Sequence, residues 1–168
     1  RPALTISPMI MIAPDRVLHI CRLGSRLDRR IIGALAIYIG LEDNVFVQVE
    51  GEEPITARVV VVPPFKTHRI AAGHQFVKTV LVEPETVSNG CLAELRNSLN
   101  GLNFNEALTL GLFDPCQHPD QVAKNVSSNF LSETFDELLF NYILEPRLLD
   151  ERIKIATTLV KNNINEIA

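Results

Sequence analysis

Short runs of apolar residues, either alternating with polar ones or unbroken, fill the first ninety positions and are cut by turn residues. In Val17–Leu23, Val17, His19, Cys21 and Leu23 fall on one face and Leu18, Ile20 and Arg22 on the other, which is the period of a strand. The run from Ile31 to Leu41 is apolar without interruption, and its length suits either a buried strand or a buried helix. Gly33 and Gly40 favour the strand, because glycine permits bends and close backbone approach. Glu42-Asp43-Asn44 supplies a hairpin turn, after which Val45, Val47 and Val49 alternate with Phe46, Gln48 and Glu50 up to Gly51. Thr56 to Val62 is β-branched and stops at Pro63-Pro64, where two backbone donors are missing. Residues 65–74 read as a loop or short strand, and Phe76 to Val82 as a further strand closed by Glu83-Pro84-Glu85. Short strands at this spacing, with no helix long enough for a βαβ crossover between them, predict an antiparallel β-barrel.

Beyond Thr86 the apolar spacing changes to three and four. Ser88 or Asn89 can cap a helix carrying Leu92, Leu95 and Leu99, with Asn100-Gly101 as its stop. A second helix is expected within Asn105 to Leu112. A third stretch, after the break at His118-Pro119-Asp120, places Val122, Val126, Phe130 and Leu131 on one stripe. Ser132 opens a fourth helix with Phe135, Leu138, Leu139, Tyr142 and Ile143 inward, interrupted by Pro146. Asp150-Glu151 opens a last one with Ile153, Ala156, Val160 and Ile164 at helical spacing. The fold class is therefore α+β, an N-terminal antiparallel barrel over residues 1–86 followed by C-terminal α-helices over 87–148 and a final helix over 149–168. The start at Arg1-Pro2 and the amphipathic helix at the other end predict a fragment trimmed from a longer protein.

Composition narrows the function classes. The 168 residues, 46% of them hydrophobic, can bury one substantial core. The net charge of -4 has the wrong sign for a surface that neutralises phosphates, so direct nucleic-acid binding by these residues is disfavoured. The apolar runs are shorter than the roughly 18–20 residues of a membrane-spanning helix, so no membrane partner is expected. Cys21, Cys91 and Cys116 are odd in number and form no CxxC pair, which argues against a disulfide framework or zinc knuckle and for a reducing, cytoplasmic setting.

Ala36-Ile37-Tyr38-Ile39-Gly40-Leu41-Glu42, followed by Val61-Val62-Pro63-Pro64-Phe65-Lys66-Thr67-His68-Arg69, resembles the cupin-like barrel of AraC-type transcription regulators, where a strand ends in a proline-rich turn and a histidine. Leu149-Asp150-Glu151-Arg152-Ile153-Lys154, with Ala156, resembles the opening helix of that family's DNA-binding domain. The resemblance implies the effector-sensing and dimerisation region of a bacterial regulator, not an enzyme, pairing as a homodimer and binding a small-molecule effector. DNA would be reached only through a C-terminal domain whose helix-turn-helix units lie outside this chain.

The alternative is a small metal-dependent cupin enzyme, an isomerase or dioxygenase. Such a site needs several imidazoles and a carboxylate on one ion, usually starting from a His-x-His pair. Here the stretch that should carry the pair reads Arg29-Arg30-Ile31-Ile32, Phe65 replaces the glycine of the proline turn, His74 lies in a loop, and His118 sits in a proline-flanked break. No metal site and no cofactor are expected, and no nucleophile elbow, P-loop or dinucleotide fingerprint is present. The residues expected to face a ligand in the barrel interior are Tyr38, Gln48, His68 and Phe76, with His19 and Arg22 behind them; the alternative is an interior simply filled by side chains. Arg29-Arg30 reads as a solvated turn. Phe135, Leu138, Leu139 and Tyr142 are the expected dimerisation stripe.

Overall fold

In a computed structural model, residues 6–24, 27–114, 132–148 and 158–164 are described. They form nine strands: β1 (Met9–Ala13), β2 (Arg16–Arg22), β3 (Asp28–Arg30), β4 (Leu35–Gly40), β5 (Val45–Val49), β6 (Ile55–Ala57), β7 (Val59–Val62), β8 (His68–Ala71) and β9 (Phe76–Val82). A 3-10 turn at Pro84–Thr86 leads into helices α1 (Asn89–Leu99), α2 (Phe104–Thr109) and α3 (Ser132–Phe140), and a further helical segment covers 158–164. The expected third helical stretch and residues 149–157, which carry the second half of the family resemblance, lie outside the described residues.

The strands make two antiparallel sheets. The first has the order β1-β2-β9-β4-β7 and the second β3-β8-β5-β6. The α+β class with antiparallel sheets and following helices is as expected. The barrel is not closed: among the described residues no ladder joins one sheet to the other.

Strands β4, β7 and β9 of the first sheet are buried on both faces, whereas edge strand β1 leaves Ile10 and Ile12 exposed. Leu35, Ile37, Ile39, Val59, Val61, Val80 and Val82 pack with Val87, Leu95, Leu99, Ala107 and Phe135 of the helical layer. Ala36, Tyr38, Val60, Val62 and Val77 point the other way and pack with Val45, Val47, Val49 and Ile70 of the second sheet. Double burial is why Leu35–Gly40 and Val59–Val62 contain no exposed residue and read as unbroken apolar runs. The change at residue 86 is thus one of secondary structure and not of core. Gly40 is required by close approach, since a Cβ there would lie 2.0 Å from the Asp43 carbonyl oxygen.

Two expectations about strands are corrected. Thr56–Val62 is not one strand: the chain leaves the second sheet after Ala57 and enters the first at Val59. At the crossing the Arg58 carbonyl accepts from Gly40 N at 2.8 Å and its N–H donates to the Leu102 carbonyl at 3.0 Å. Arg29-Arg30 is not a turn but two-thirds of β3, paired with Arg69 and His68 of β8.

The helices start where short polar side chains satisfy free N–H groups. Ser88 Oγ accepts from Cys91 N at 3.2 Å, and Asn103 with Glu106 forms a reciprocal capping box on α2. Helix α3 ends earlier than expected, at Phe140, because Asn141 turns left-handed with φ 60°. With the helix broken there, Tyr142 and Ile143 leave its apolar stripe and are exposed, as is Leu138.

A buried ion pair fastens α3 to the first sheet. Arg16 Nε donates to Asp136 Oδ1 at 2.9 Å and its NH2 group to Oδ2 at 3.3 Å, across 120 residues of sequence. Both side chains are shut from solvent, and Asp136 Oδ2 also accepts from Leu144 N at 3.0 Å. Thr86 Oγ1 takes another Arg16 proton at 3.0 Å, and Ser132 Oγ donates to Asp15 at the start of α3. Removing one partner strands the other without water, at a cost of about 3–5 kcal/mol. Asp136→Ala is therefore expected to lower unfolding stability by about that amount in urea titrations, whereas Arg16→Met with Asp136→Leu should recover most of it. A recovery no better than the single variant would show that the pair is not the fastening.

Candidate functional site

Strand register decides which polar side chains enter the space between the sheets. Thr79 of β9 stands opposite His19 on β2 and opposite Tyr38 on β4, so these three form one row across the first sheet. Cys21 shares their face two positions along β2. From the second sheet, His68 of β8 points into the same space, and Arg30 of β3 is its direct cross-strand neighbour. The row is amphiphilic in a chain region otherwise filled by valine and isoleucine.

Tyr38 and His68 join the sheets. Tyr38 Oη and His68 Nε2 are 2.8 Å apart, and the rings tilt at 52° with centroids separated by 5.6 Å. The other ring nitrogen, Nδ1, lies 2.9 Å from the Lys66 carbonyl oxygen. A carbonyl can only accept, so Nδ1 carries the proton, and Nε2 accepts from the tyrosine hydroxyl. Both side chains are almost fully buried, at 0% and 1% exposure. Burial pushes the His68 pKa down, and the charge of Arg30 lowers it further against the opposing effect of the Lys66 carbonyl. Burial pushes the Tyr38 hydroxyl up, while Arg30, whose charge and hydrogen bond favour the phenolate, restrains the rise. His19 is also lowered, by burial first and Arg30 second, and its Nδ1 lies 3.7 Å from Cys21 Sγ.

Thr79 is the exception to this satisfied network. Its Oγ1 is buried and has no hydrogen-bond partner. Buried hydroxyls are ordinarily paired, and leaving one unpaired costs about 1–3 kcal/mol. Thr79 is flanked by half-buried His19 on one side and by Tyr38 on the other, so an unpaired polar atom lies in the row that faces the second sheet.

The same geometry does not fit the metal ion of a cupin enzyme. Both ring nitrogens of His68 are engaged, one as donor to Lys66 and one as acceptor from Tyr38, so neither offers a lone pair. Among the described residues, no group of three or more His, Cys, Asp or Glu side chains converges, and the nearby guanidinium of Arg30 would repel a cation.

Of the expected ligand-facing residues, Tyr38 and His68 are brought together in the interior. Gln48 is not: it is exposed on the solvent side of the second sheet. Phe76 is not either, since it belongs to the helix-side core and carries the Arg22 guanidinium over its ring at 4.2 Å. Arg22 accordingly faces outward, its NH1 group donating to the His74 carbonyl at 2.9 Å. Thr79 and Arg30 were not anticipated. The proline turn keeps the conformation of the missing glycine, because Phe65 itself adopts φ 60° and lays its ring on Gly33. His118 lies outside the described residues.

The expected dimerisation stripe is divided. Phe135 and Leu139 are buried inside the domain and have no surface to offer a partner, whereas Leu138 and Tyr142 are about half exposed. Cys21 and Cys91 are free, and no helix among the described residues is long and apolar enough to cross a membrane.

No protein-family model matches the chain and no curated protein matches it. Among solved structures, a protein from Neisseria meningitidis is similar at 17% identity over 45% of this chain and 83% of its own, with a TM-score of 0.40. A cupin-2 domain containing protein from Shewanella frigidimarina is similar at 14% identity over 45% of this chain and 78% of its own, with a TM-score of 0.38. A cupin protein from Bacteroides fragilis covers 53% of this chain and 86% of its own at 13% identity and a TM-score of 0.41. Likeness at this level carries no information about ligand or activity.

A histidine whose pKa is lower folded than unfolded stays neutral in the fold while the unfolded chain takes up a proton. Its contribution to stability is complete above the unfolded value near 6.5 and is lost as pH falls towards the folded value. The melting temperature is therefore expected to fall between pH 7.5 and pH 5, with a smaller fall in His68→Gln. An unchanged slope in that variant would remove His68 from the account. Tyr38→Phe deprives buried Nε2 of its donor and should cost about 1–3 kcal/mol at neutral pH, read by urea unfolding.

Proposed function

We propose that the chain is the effector-sensing and dimerisation region of a bacterial regulator of the AraC type, with the effector held between the two sheets. The observation that carries the sensing part is the buried Thr79 hydroxyl without a partner, beside His19 and facing the Tyr38–His68 pair with Arg30. A site prepared for catalysis through His68 would leave one of its nitrogens available, whereas here Nε2 is held by Tyr38 across the sheets and Nδ1 by the Lys66 carbonyl two residues away. The regulatory part is supported by the resemblance of β4 and of the stretch from Val61 through the proline turn to His68. DNA contact belongs to a C-terminal domain of the parent protein, and a reducing cytoplasm suits the free Cys21 and Cys91.

The ligand best suited to the interior is a small, uncharged or anionic molecule with hydroxyl or carboxylate oxygens, since Arg30 disfavours a cation. Pairing of two copies would use the exposed Leu138, Tyr142 and Ile143 rather than the buried half of the α3 stripe.

Placed ahead of a DNA-binding domain that represses a reporter only as a dimer, the chain should confer repression, and an effector should alter it. Thermal shift against a panel of sugars and hydroxy acids identifies that effector, and Thr79→Val is expected to abolish the shift while leaving the unliganded melting temperature unchanged or raised. Leu138→Glu with Tyr142→Glu should convert a dimer to a monomer in sedimentation with the fold retained. Stoichiometric bound iron, manganese or zinc, together with turnover, would instead favour a small cupin isomerase or dioxygenase.

A further inference from the structure

The solvent face of the second sheet carries an arrangement that the interior site does not use. Register places Arg29 of β3 directly opposite Arg69 of β8, and Arg69 directly opposite Gln48 of β5. All three side chains are exposed, and alternation along the short strands puts Thr67 and Glu50 on the same side. Glu50 N donates to the Thr67 carbonyl at 2.9 Å, which extends the ladder under this face. Together with His68, these residues line a depression of about 300 Å³.

Like charges directly opposite on neighbouring strands are destabilising. The ion pairs among the described residues are Arg16 with Asp15 and Asp136, and Arg96 with Glu52, so neither Arg29 nor Arg69 is neutralised by a carboxylate. Glu50, the one acid in the lining, forms no ion pair with them. Two guanidinium forks side by side, each able to give paired N–H bonds, form a receptor for an oxyanion, and Thr67 and Gln48 add neutral donors beside them.

We infer that this depression binds a small oxyanion, the phosphate or carboxylate group of a low-molecular-weight ligand, held between Arg29 and Arg69. The charge repulsion between the arginines is relieved on binding. Glu50 opposes the anion and weakens the site unless the ligand carries a hydroxyl or ammonium group that reaches it. This site is separate from the space between the sheets, because the strands themselves lie between them, and it does not depend on the regulator reading.

Calorimetric titration of the full chain at low ionic strength with inorganic phosphate, succinate and glycerol 3-phosphate tests it. Saturable binding of one equivalent is expected for at least one probe, and which probe binds identifies the anion class. Arg29→Gln and Arg69→Gln should each weaken it at least about tenfold, equivalent to ~1.4 kcal/mol, with the conservative Arg69→Lys intermediate. Glu50→Gln should tighten it. Absence of binding to all three probes, or equal binding in the two glutamine variants, overturns the assignment. Because both arginines are exposed, loss of fold is not expected, and circular dichroism of each variant separates that outcome from loss of the site.

Discussion

The bidentate contact between Arg16 and Asp136 decides how the helical layer sits on the first sheet. Arg16 begins β2, and Asp136 lies in the middle of α3, so the pair ties a strand near the start of the chain to a helix 120 residues later. Dispersion and hydrophobic burial can hold a helix on a sheet in several rotations about its axis. A charge pair that must find both partners without water allows one. Phe135 and Leu139, on either side of Asp136, then have only one way to enter the core, and the Leu144 N–H finds its acceptor on the same carboxylate. Neighbouring links follow from that seating: Ser88 N donates to the Glu145 carbonyl at 2.8 Å and Arg147 N to the Thr86 carbonyl at 3.2 Å, closing the return of the chain against the start of α1.

A second polar tie operates on the opposite face. Where Arg16–Asp136 holds helix to sheet, Tyr38–His68 holds sheet to sheet, with Lys66 fixing the imidazole tautomer. Both ties sit among aliphatic side chains, where an alternative packing would leave polar atoms stranded. The interior differs in being incomplete, because Thr79 lies next to Tyr38 across the ladder and takes no part in the tie. One buried hydroxyl is thus left over beside a satisfied pair.

Much of the strand content could be read from the chain, because alternation in β2 and β5 and the full span Phe76–Val82 follow directly from burial. What could not be read were the faces of strands buried on both sides. In β9 nearly every position is apolar, so nothing in the sequence tells Phe76 from Val77, and Phe76 was placed in the interior when it belongs to the helix side. Gln48 erred for a different reason: both faces of β5 carry bulky residues, and the valines, not the glutamine, turn inward. Arg30 was hidden because three polar residues in a row resemble a turn, and only pairing with His68 makes them a strand. The Arg16–Asp136 pair was beyond reach, since two charges 120 residues apart carry no local sign that they are buried. Helix α3 follows from its apolar spacing, but the left-handed Asn141 that ends it takes Tyr142 and Ile143 off the stripe, and Leu138 within the helix is exposed as well.

The division of labour between the sheets follows from their unequal burial. The inner strands of the first sheet commit both faces to packing, so that even its one lysine, Lys78, is buried and donates to the Leu112 and Asp114 carbonyls at 3.1 and 3.3 Å. Its polar side chains towards the second sheet form the short row His19, Thr79 and Tyr38. The second sheet packs on one face only, and its strands are three to five residues long. Sequence change on its free side costs little stability, which is where unpaired charge such as Arg29 and Arg69 can be carried. Strand β8 alternates between the two environments residue by residue: His68 belongs to the interior, Arg69 to the surface, and Ile70 to the core. A four-residue strand thereby presents one side chain to each of the two places where this fold has polar groups to spare.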